Sequence, residues 1–255
     1  QRSKDYQLTK DQIVKICDRD FIGCDQLIFI KKNDQKDIQL EFYNSDGSIS
    51  GACGNGTRCV ADLLSKENNE KEITLWTSSG SLKSKILGSN LVETEIGIPK
   101  TNWNEIPLSE NLDTKNLNIK IINKNNIEHI GGTAVNVGNP HIIFFVDNIE
   151  DYDLKKIGPE IENHKYFHEK CNVTLAKVIT KNLIKVRVWE RGAGLTKACG
   201  TAACATAVAA NINGLIDNKT DIQFTLGKIS ISIDENNSIH MKGPVSDIKD
   251  IEIKI

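Results

Sequence analysis

The feature that most constrains the fold of this chain is a short cysteine–glycine cluster that occurs twice. One copy runs from Cys53 to Cys59 (CGNGTRC), and the other runs from Cys199 to Cys204 (CGTAAC). The first cysteines of the two copies are 146 residues apart, which is about half of the 255-residue chain. Strand-like segments precede each copy, and a helix-like run follows it. The pattern therefore predicts an internal duplication of a mixed α/β unit.

The hydrophobic periodicity predicts many short strands and few helices. Thr9 is the expected N-cap of an amphipathic helix over 9–20, and Gly214 is the expected C-cap of an alanine-rich helix over 199–212. The polar stretch 98–116, which carries two prolines, is the best linker candidate. The other predicted elements are helices at 53–66 and 153–162 and strands at 25–31, 38–43, 72–77, 82–88, 91–97, 117–123, 133–137, 141–146, 172–180, 183–190, 221–226, 228–233, 238–242 and 251–255.

The composition is that of a soluble globular protein and excludes several other classes. Thirty-two basic and thirty-four acidic side chains give a net charge of −2, which argues against a nucleic-acid binder that relies on a basic surplus. The chain has no run of eighteen apolar residues and no signal-peptide pattern at its start, so we expect a cytoplasmic location and no membrane partner. An odd count of seven cysteines in a chain of this length indicates free thiols in a reducing compartment.

Both clusters place a cysteine at the predicted start of a helix. The backbone N–H groups there, together with the positive end of the helix dipole, favour a thiolate over a thiol. The same N–H groups can hold a carboxylate, and the glycines after Cys53 and Cys199 allow a substrate to approach the backbone closely. Taken alone, each cluster is also compatible with an ordinary turn beside a buried cysteine. Cys59 and Cys204 fall inside the predicted helices, where we expect them to be core residues.

Two matching thiols from two similar halves fit a chemistry that neither cluster implies alone. If they faced each other across a cleft, one thiolate would remove an α-proton while the other thiol delivered a proton to the opposite face. Two helix N-termini would stabilise the charge that develops on the substrate carboxylate. A zinc site is weakly supported, because the C-x5-C and C-x4-C spacings do not match known ligand sets and no metal is expected. His141 lies in a suggestive loop, although it also fits an ordinary strand start.

Six motifs, in chain order, resemble those of the diaminopimelate epimerase family. They are NSDGS from Asn44, CGNGTRC from Cys53, GNPH from Gly138, Asn172-Val173, ERGAG from Glu190, and ACGT from Ala198, with GCDQL from Gly23 and Gly243-Pro244 extending the match. The resemblance implies an isomerase that works without pyridoxal phosphate or any other cofactor. Its substrate would be diaminopimelate, whose LL and meso forms it would interconvert in lysine and peptidoglycan-precursor synthesis.

The family resemblance also implies a fold of the α+β class. It has two pseudo-symmetric mixed α/β domains, each a curved sheet or barrel around a central helix, with the active site in the cleft between them. We expect the N-terminal half to span 1–99 and the C-terminal half to span 100–243. A C-terminal strand within 244–255 is expected to return to the N-terminal half.

Motif by motif, the resemblance assigns roles to individual residues. Cys53 and Cys199 are the catalytic pair, with Cys199 as the base and Cys53 as the acid in the LL-to-meso direction. Arg191 binds the distal carboxylate, Glu190 binds the distal ammonium or tunes a cysteine, and His141 modulates a cysteine pKa. The implied substrate-binding residues are Gln26, Asn44, Gly54, Asn55, Asn139, Asn172, Glu190, Arg191, Gly200 and Thr201.

The sequence departs from the family pattern at three places. A Gly-Leu-Gly-Asn-Asp-Phe loop that supplies a further substrate asparagine has no counterpart in the 255 residues. Leu195 stands where the family often has Glu, and Thr201 opens a Thr-Ala-Ala segment in place of a more glycine-rich one. A related racemase of proline or hydroxyproline type remains an alternative, as does a thiol redox or zinc-binding protein. A homodimer is also left open.

Overall fold

The computed structural model describes residues 7–32, 38–51, 53–78, 80–88 and 90–253. The chain divides into two compact units, one comprising Gln1–Glu95 with Pro244–Ile255 and the other comprising Ile96–Gly243. Helices are few and strands are many in both units, which confirms the predicted mixed α/β fold. That the two units are halves of one duplicated plan remains a prediction.

The first unit is a mixed sheet with one long helix against it. Its sheet order is β1-β2-β4-β5-β6, with β1 antiparallel to β2, β2 parallel to β4, and the short β3 paired to β2. The elements are α1 (Lys10–Cys17), β1 (Gln26–Lys32), β2 (Ile38–Asn44), β3 (Ile49–Ser50), α2 (Gly54–Asn68), β4 (Glu72–Thr77), β5 (Gly80–Gly88) and β6 (Leu91–Gly97).

Helix α2 covers this sheet with only one of its faces. It packs against β4 and β5 through Val60, Ala61 and Leu64, which join Phe42 and Leu75 in the apolar core of the unit. Away from this face Cys59 and Lys66 are exposed, whereas Arg58 and Asp62 are buried.

The second unit contains a longer sheet and three helical segments. Its sheet order is β9-β10-β11-β12-β14-β15-β16, with β13 paired to β12, and β7 and β8 form a separate hairpin. The elements are β7 (Ile119–Ile122), β8 (Glu128–Gly131), β9 (Thr133–Asn136), β10 (Pro140–Phe145), a 3-10 helix (Ile149–Asp151), α3 (Leu154–Glu162), β11 (Asn172–Thr180), β12 (Leu183–Glu190), β13 (Gly194–Thr196), α4 (Gly200–Ile212), β14 (Lys219–Phe224), β15 (Gly227–Ile233) and β16 (Ile239–Pro244).

Helix α4 is buried on all sides within the second unit. Every residue from Gly200 to Ala210 is buried, and the helix packs against β9, β10, β11, β14 and β15. A helix that is apolar all round can be accommodated only in a protein interior. Alanine at most positions keeps the helix thin enough for strands to approach it from several directions.

Several predicted elements agree with the structure, and four predictions differ from it. The strands at 72–77, 91–97, 172–180 and 183–190 match to the residue, and Thr9 caps α1 in a capping box with Gln12. The helix predicted for 9–20 ends at Cys17, where Asp18 turns to an extended conformation. The C-cap of α4 is Asn213, and Gly214 follows it in the left-handed region with φ +69°.

The stretch 98–116 is not a free linker. It carries no helix or strand, but Ile106 and Leu108 are buried in a core of the second unit, and Trp103 and Leu112 pack against that core. The polar composition of the segment predicted a linker, but its few apolar side chains pack into the core and hold the segment against the second unit.

The last predicted strand, 251–255, is also wrong. Residues 245–253 contain no strand, and 254–255 lie outside the described residues. At the start of this segment, the N–H of Val245 donates to the carbonyl of Asn90, and the Val245 side chain joins the apolar core of the first unit. Beyond it, Ile251 is exposed and finds no strand partner in the described part of the chain.

Candidate active site

In the first unit, the site begins at Cys53, the N-cap of α2. The residue is extended (φ −144°, ψ 97°), and its Sγ accepts a hydrogen bond from the backbone N–H of Gly56 at 3.2 Å. The Cys53 carbonyl accepts from both the N–H and the hydroxyl of Thr57, at 2.8 and 2.9 Å. The cysteine therefore takes the position that serine or aspartate usually takes at a helix start, with an N–H donor directed at its sulfur.

Gly56 is needed for this arrangement because the sulfur and a neighbouring strand both approach it closely. A Cβ at this position would lie 2.4 Å from Cδ1 of Ile28 and 3.0 Å from Sγ of Cys53. Any side chain here would displace Ile28 or the sulfur. The second glycine of the CGNG motif is thus explained by packing around the thiol.

A buried arginine accompanies the first helix start. Arg58 is 4% exposed, and its Nη2 donates to Oδ1 of Asn55 at 2.9 Å, which fixes the side chain of a predicted substrate-binding residue. One turn later Asp62 is also buried and bonds Lys66 at 2.7 Å. Arg58 was not among the residues predicted for the site, although it lies within the CGNGTRC motif.

Two further predicted residues of the first unit lie together on paired strands. Gln26 and Asn44 face each other in the β1–β2 register, and Nε2 of Gln26 donates to Oδ1 of Asn44 at 3.1 Å. The Asn44 backbone N–H bonds the carbonyl of Ser48 across a turn in which Gly47 adopts φ +77°. Both amides are thus held at the carboxyl end of β2.

In the second unit, Cys199 is the N-cap of α4 and is extended like Cys53 (φ −145°, ψ 117°). Its environment is different, because it is only 6% exposed and its Sγ lies 3.4 Å from the hydroxyl of Thr201. Burial, followed by the negative charge of Glu190, raises the pKa of the Cys199 thiol well above its ordinary value. This sulfur is therefore held as a thiol.

A polar cluster beside β10 and β11 contains three predicted residues. His141 is fully buried, its Nε2 lies 2.8 Å from Oδ1 of Asn139, and its Nδ1 has no hydrogen-bond partner among the described residues. Nδ2 of Asn172 donates to the carbonyl of Pro140 at 3.0 Å. Burial, with a smaller contribution from Arg191, lowers the pKa of His141 to about 3, so the imidazole is neutral at physiological pH.

Glu190 and Arg191 lie at the tip of the hairpin that joins β12 to β13. Glu190 pairs with Gly194 across this turn, and the turn carries Gly192 at φ +73°. Arg191 is exposed, and its Nη1 donates to the carbonyl of Glu169 at 2.8 Å. Cys199, the N-cap of α4, follows three residues after the end of β13. The short strand β13 therefore connects Glu190 and Arg191 to Cys199.

The remaining cysteines differ in their surroundings, and one prediction about them is wrong. Cys204 is buried in α4 as expected, but Cys59 is exposed, because Thr57, Val60 and Ala61 form the face of α2 that meets the core. Cys17 and Cys24 are free thiols whose sulfur atoms are 3.4 Å apart.

Across the residues that the structure describes, no group of three or more histidine, cysteine, aspartate or glutamate side chains is placed to hold a metal ion. None of the described helices is both long and apolar enough to span a membrane.

Comparisons with known proteins show which family the chain resembles in sequence. The diaminopimelate epimerase family model matches residues 2–101 and 133–248. A diaminopimelate epimerase from Pelagibacter ubique (strain HTCC1062) is 77% identical over the whole chain and 93% of its own length. One from Acidiphilium cryptum (strain JF-5) is 40% identical, with 88% of this chain and 79% of that protein covered.

Solved structures show the same fold at low sequence identity. A phenazine biosynthesis protein of the PhzF family from Bacillus anthracis matches with a TM-score of 0.63 at 15% identity, over 97% of this chain and 90% of that one. A hydroxyproline epimerase from Agrobacterium vitis matches with a TM-score of 0.62 at 13% identity, over 91% and 77% of the two chains. With the family model and the relatives taken together, the chain belongs to the diaminopimelate epimerase family.

Proposed function

We propose that this protein is an isomerase that interconverts LL- and meso-diaminopimelate, with one cysteine sulfur removing the α-proton and a second cysteine sulfur delivering a proton to the opposite face. The observation that carries the proposal is the pair of cysteine N-caps, one in each unit, each followed by glycine at the first position of a helix. Relatives that match most of the chain carry the same activity in their names. Lysine and peptidoglycan-precursor synthesis is the metabolic role that follows.

The proposed reaction breaks and forms only the C–H bond of the α-carbon and the S–H bonds of the two cysteines. A thiolate takes the proton of the α-carbon, and the C–H electron pair is delocalised into the adjacent carboxylate. The thiol on the other face gives its proton to the same carbon, which inverts the centre. The enzyme is left with the opposite cysteine ionised, ready for the reverse reaction.

The helix starts are suited to hold the reacting carboxylate. Because the N–H of Gly56 is directed at the sulfur of Cys53, we assign the carboxylate to the N–H groups of Gly54 and Asn55 on one helix, and to those of Gly200 and Thr201 on the other. Charge that develops there would meet preorganised backbone donors and the positive ends of two helix dipoles.

The environments of the two sulfurs favour a definite resting form. The raised pKa of Cys199 favours its thiol form, which is the form a proton donor needs, and the sulfur of Cys53 accepts a hydrogen bond from the N–H of Gly56. That Cys199 is the base in the LL-to-meso direction remains a prediction. It requires Cys199 to lose its proton and Cys53 to gain one before each turnover in that direction. We infer that His141 acts on this balance as a neutral dipole, because its low pKa keeps it uncharged.

The distal end of the substrate is assigned to the hairpin tip. Arg191 would bind the second carboxylate in a bidentate manner, and Glu190 would bind the second ammonium. Gln26, Asn44 and Asn139 supply amide groups for the rest of the substrate. We assign Asn172 a supporting role as well, since its Oδ1 accepts from the backbone N–H of Arg191 at 2.9 Å. A cytoplasmic location and a homodimer remain predictions.

The direct test is turnover of LL-diaminopimelate by the wild type and by Cys53→Ala and Cys199→Ala variants. We expect each variant to lose at least about a thousandfold in kcat, because a two-base transfer cannot proceed with one base. Cys59→Ala is the matched control, since it removes an exposed thiol from the same helix as Cys53 and should retain activity. Near-normal turnover in either catalytic-cysteine variant would contradict the mechanism.

A panel with free proline and trans-4-hydroxyproline tests the rival substrate class. The Glu190–Arg191 pair favours a substrate with a second charged end, so these compounds should not be racemised. Turnover of hydroxyproline without turnover of diaminopimelate would overturn the proposed substrate.

A further inference from the structure

Glu162 is a buried carboxylate that the proposed mechanism does not use. It is 6% exposed and is the last residue of α3. A negative charge is unfavourable at a helix C-terminus, where the dipole is negative, and burial adds a desolvation cost. An acid retained at such a position needs partners that offset these costs.

Both oxygens of Glu162 accept hydrogen bonds from the strand-and-turn segment that carries the charged pair. Oε2 accepts from Nε1 of Trp189 at 2.7 Å, and Oε1 accepts from the backbone N–H of Gly192 at 3.1 Å. The carboxylate thus bonds one residue before Glu190 and one residue after Arg191.

The three central N–H donors of the turn all have acceptors in this arrangement. The N–H of Arg191 donates to Oδ1 of Asn172 at 2.9 Å, that of Gly192 donates to Glu162, and that of Ala193 donates to the carbonyl of Glu190 at 3.1 Å. Two of the three acceptors are side chains from other elements of the unit. The turn conformation is therefore imposed from outside the hairpin.

Packing of α3 on Trp189 reinforces the same placement. A Cβ on Gly158 would lie 2.5 Å from the indole ring, so the helix backbone is in direct contact with Trp189. The indole also lies under Gly194, where a Cβ would be 3.5 Å from the ring. Trp189 therefore packs between α3 and the hairpin tip.

We propose that Glu162 is a positioning residue that fixes the turn from Glu190 to Gly194 and so determines where Glu190 and Arg191 meet the distal end of the substrate. This inference rests on the proposed function for its substrate, and on the hydrogen bonds of Glu162 for its geometry. In Glu162→Gln, the side-chain amide NH₂ would face either the indole N–H of Trp189 or the backbone N–H of Gly192. Two donors cannot bond each other, so the turn would lose one of its hydrogen bonds.

The experiment compares Glu162→Gln with Glu160→Gln, an exposed position on the same helix. We expect Glu162→Gln to raise the KM for LL-diaminopimelate by about tenfold or more, with a smaller change in kcat, because the lost hydrogen bonds to a charged group hold Trp189 and Gly192 and do not involve the cysteine sulfurs. The control should leave both constants unchanged. Trypsin cleavage after the exposed Arg191, followed by mass spectrometry, should accelerate in Glu162→Gln alone.

The outcomes separate this inference from the proposed function. Unchanged KM in Glu162→Gln, or unchanged cleavage after Arg191, would overturn the positioning role. If the wild type did not turn over diaminopimelate, the proposed function would fail, while the cleavage rates would still decide whether Glu162 holds the turn. If Glu162→Gln did not fold, Trp189→Phe would serve instead, because it removes one donor and keeps an aromatic ring. An unchanged KM in that variant would likewise contradict the inference.

Discussion

The starts of α2 and α4 share a local design but place their cysteines in opposite environments. Both cysteines are extended N-caps followed by glycine, yet Cys53 is half-buried at the start of a helix that has exposed residues, and Cys199 is buried at the start of a helix whose residues Gly200–Ala210 are all buried. A backbone N–H is directed at the first sulfur, whereas burial and a nearby carboxylate raise the pKa of the second. A few residues are enough to build a cysteine N-cap, but the surrounding fold sets how deeply the sulfur is buried and which charges lie near it.

The largest effect on this comparison is expected from Gly56→Ala. The new methyl group would meet Ile28 and the sulfur of Cys53 at distances that force one of them to move. A displacement of about 1 Å at a reacting group can cost on the order of 100-fold, so we expect kcat/KM to fall by about that factor. Steady-state kinetics against Gly88→Ala, where a Cβ would meet nothing within 4 Å, provide the check. Equal activity of the two variants would show that the sulfur position is not constrained by Gly56.

The second prediction concerns the order in which the thiols react with iodoacetamide. Cys53 should be alkylated at least about tenfold faster than Cys199, because a raised pKa reduces the thiolate fraction and burial limits access. Peptide mapping over time measures both rates in one sample, with the exposed Cys59 as an internal reference. Glu190→Gln should narrow the difference by removing the negative charge near Cys199. Faster alkylation of Cys199 in the wild type would reverse the comparison.

The last prediction is a pH dependence of stability that His141 contributes in the second unit. Folding lowers the pKa of His141 from about 6.5 to about 3, so between these values the unfolded chain binds one more proton than the native protein. Stability is therefore lost as pH falls through this window, at up to about 1.4 kcal/mol per pH unit. Denaturant titrations at several pH values give the free energy of unfolding. Below pH 6.5 this free energy should fall less steeply with falling pH in His141→Gln than in the wild type, and above pH 6.5 the two should run parallel. Identical slopes below pH 6.5 would indicate that His141 is not buried in its neutral form.

The parts of the site that were predictable are those encoded by neighbouring residues. Thr9 with Gln12, Cys53 with its glycines and Cys199 with Gly200 are local capping patterns, and each helix begins where its pattern indicates. The long strands of the second unit were predictable because their apolar residues recur at the strand period.

What could not be predicted depends on distant partners. Glu162 carries no local signal of burial, since its donors come from residues 27 and 30 positions later in the chain. The alternating isoleucines from Ile251 onward suggest a strand, but a strand also needs a paired neighbour. Cys59 was assigned to the core because the apolar residues of α2 are compatible with more than one helix orientation, and only the sheet beneath the helix selects among them.

The most direct test of the two-sulfur mechanism follows the isotope content of LL-diaminopimelate in heavy water during the first turnovers. If separate sulfurs remove and deliver the proton, deuterium enters the α-position of the meso product while the recovered LL substrate keeps its protium. Mass spectrometry of the two separated isomers at early times reads both quantities. Equal deuterium in recovered substrate and product from the first turnovers would mean that a single base serves both faces, and it would contradict the roles assigned to Cys53 and Cys199.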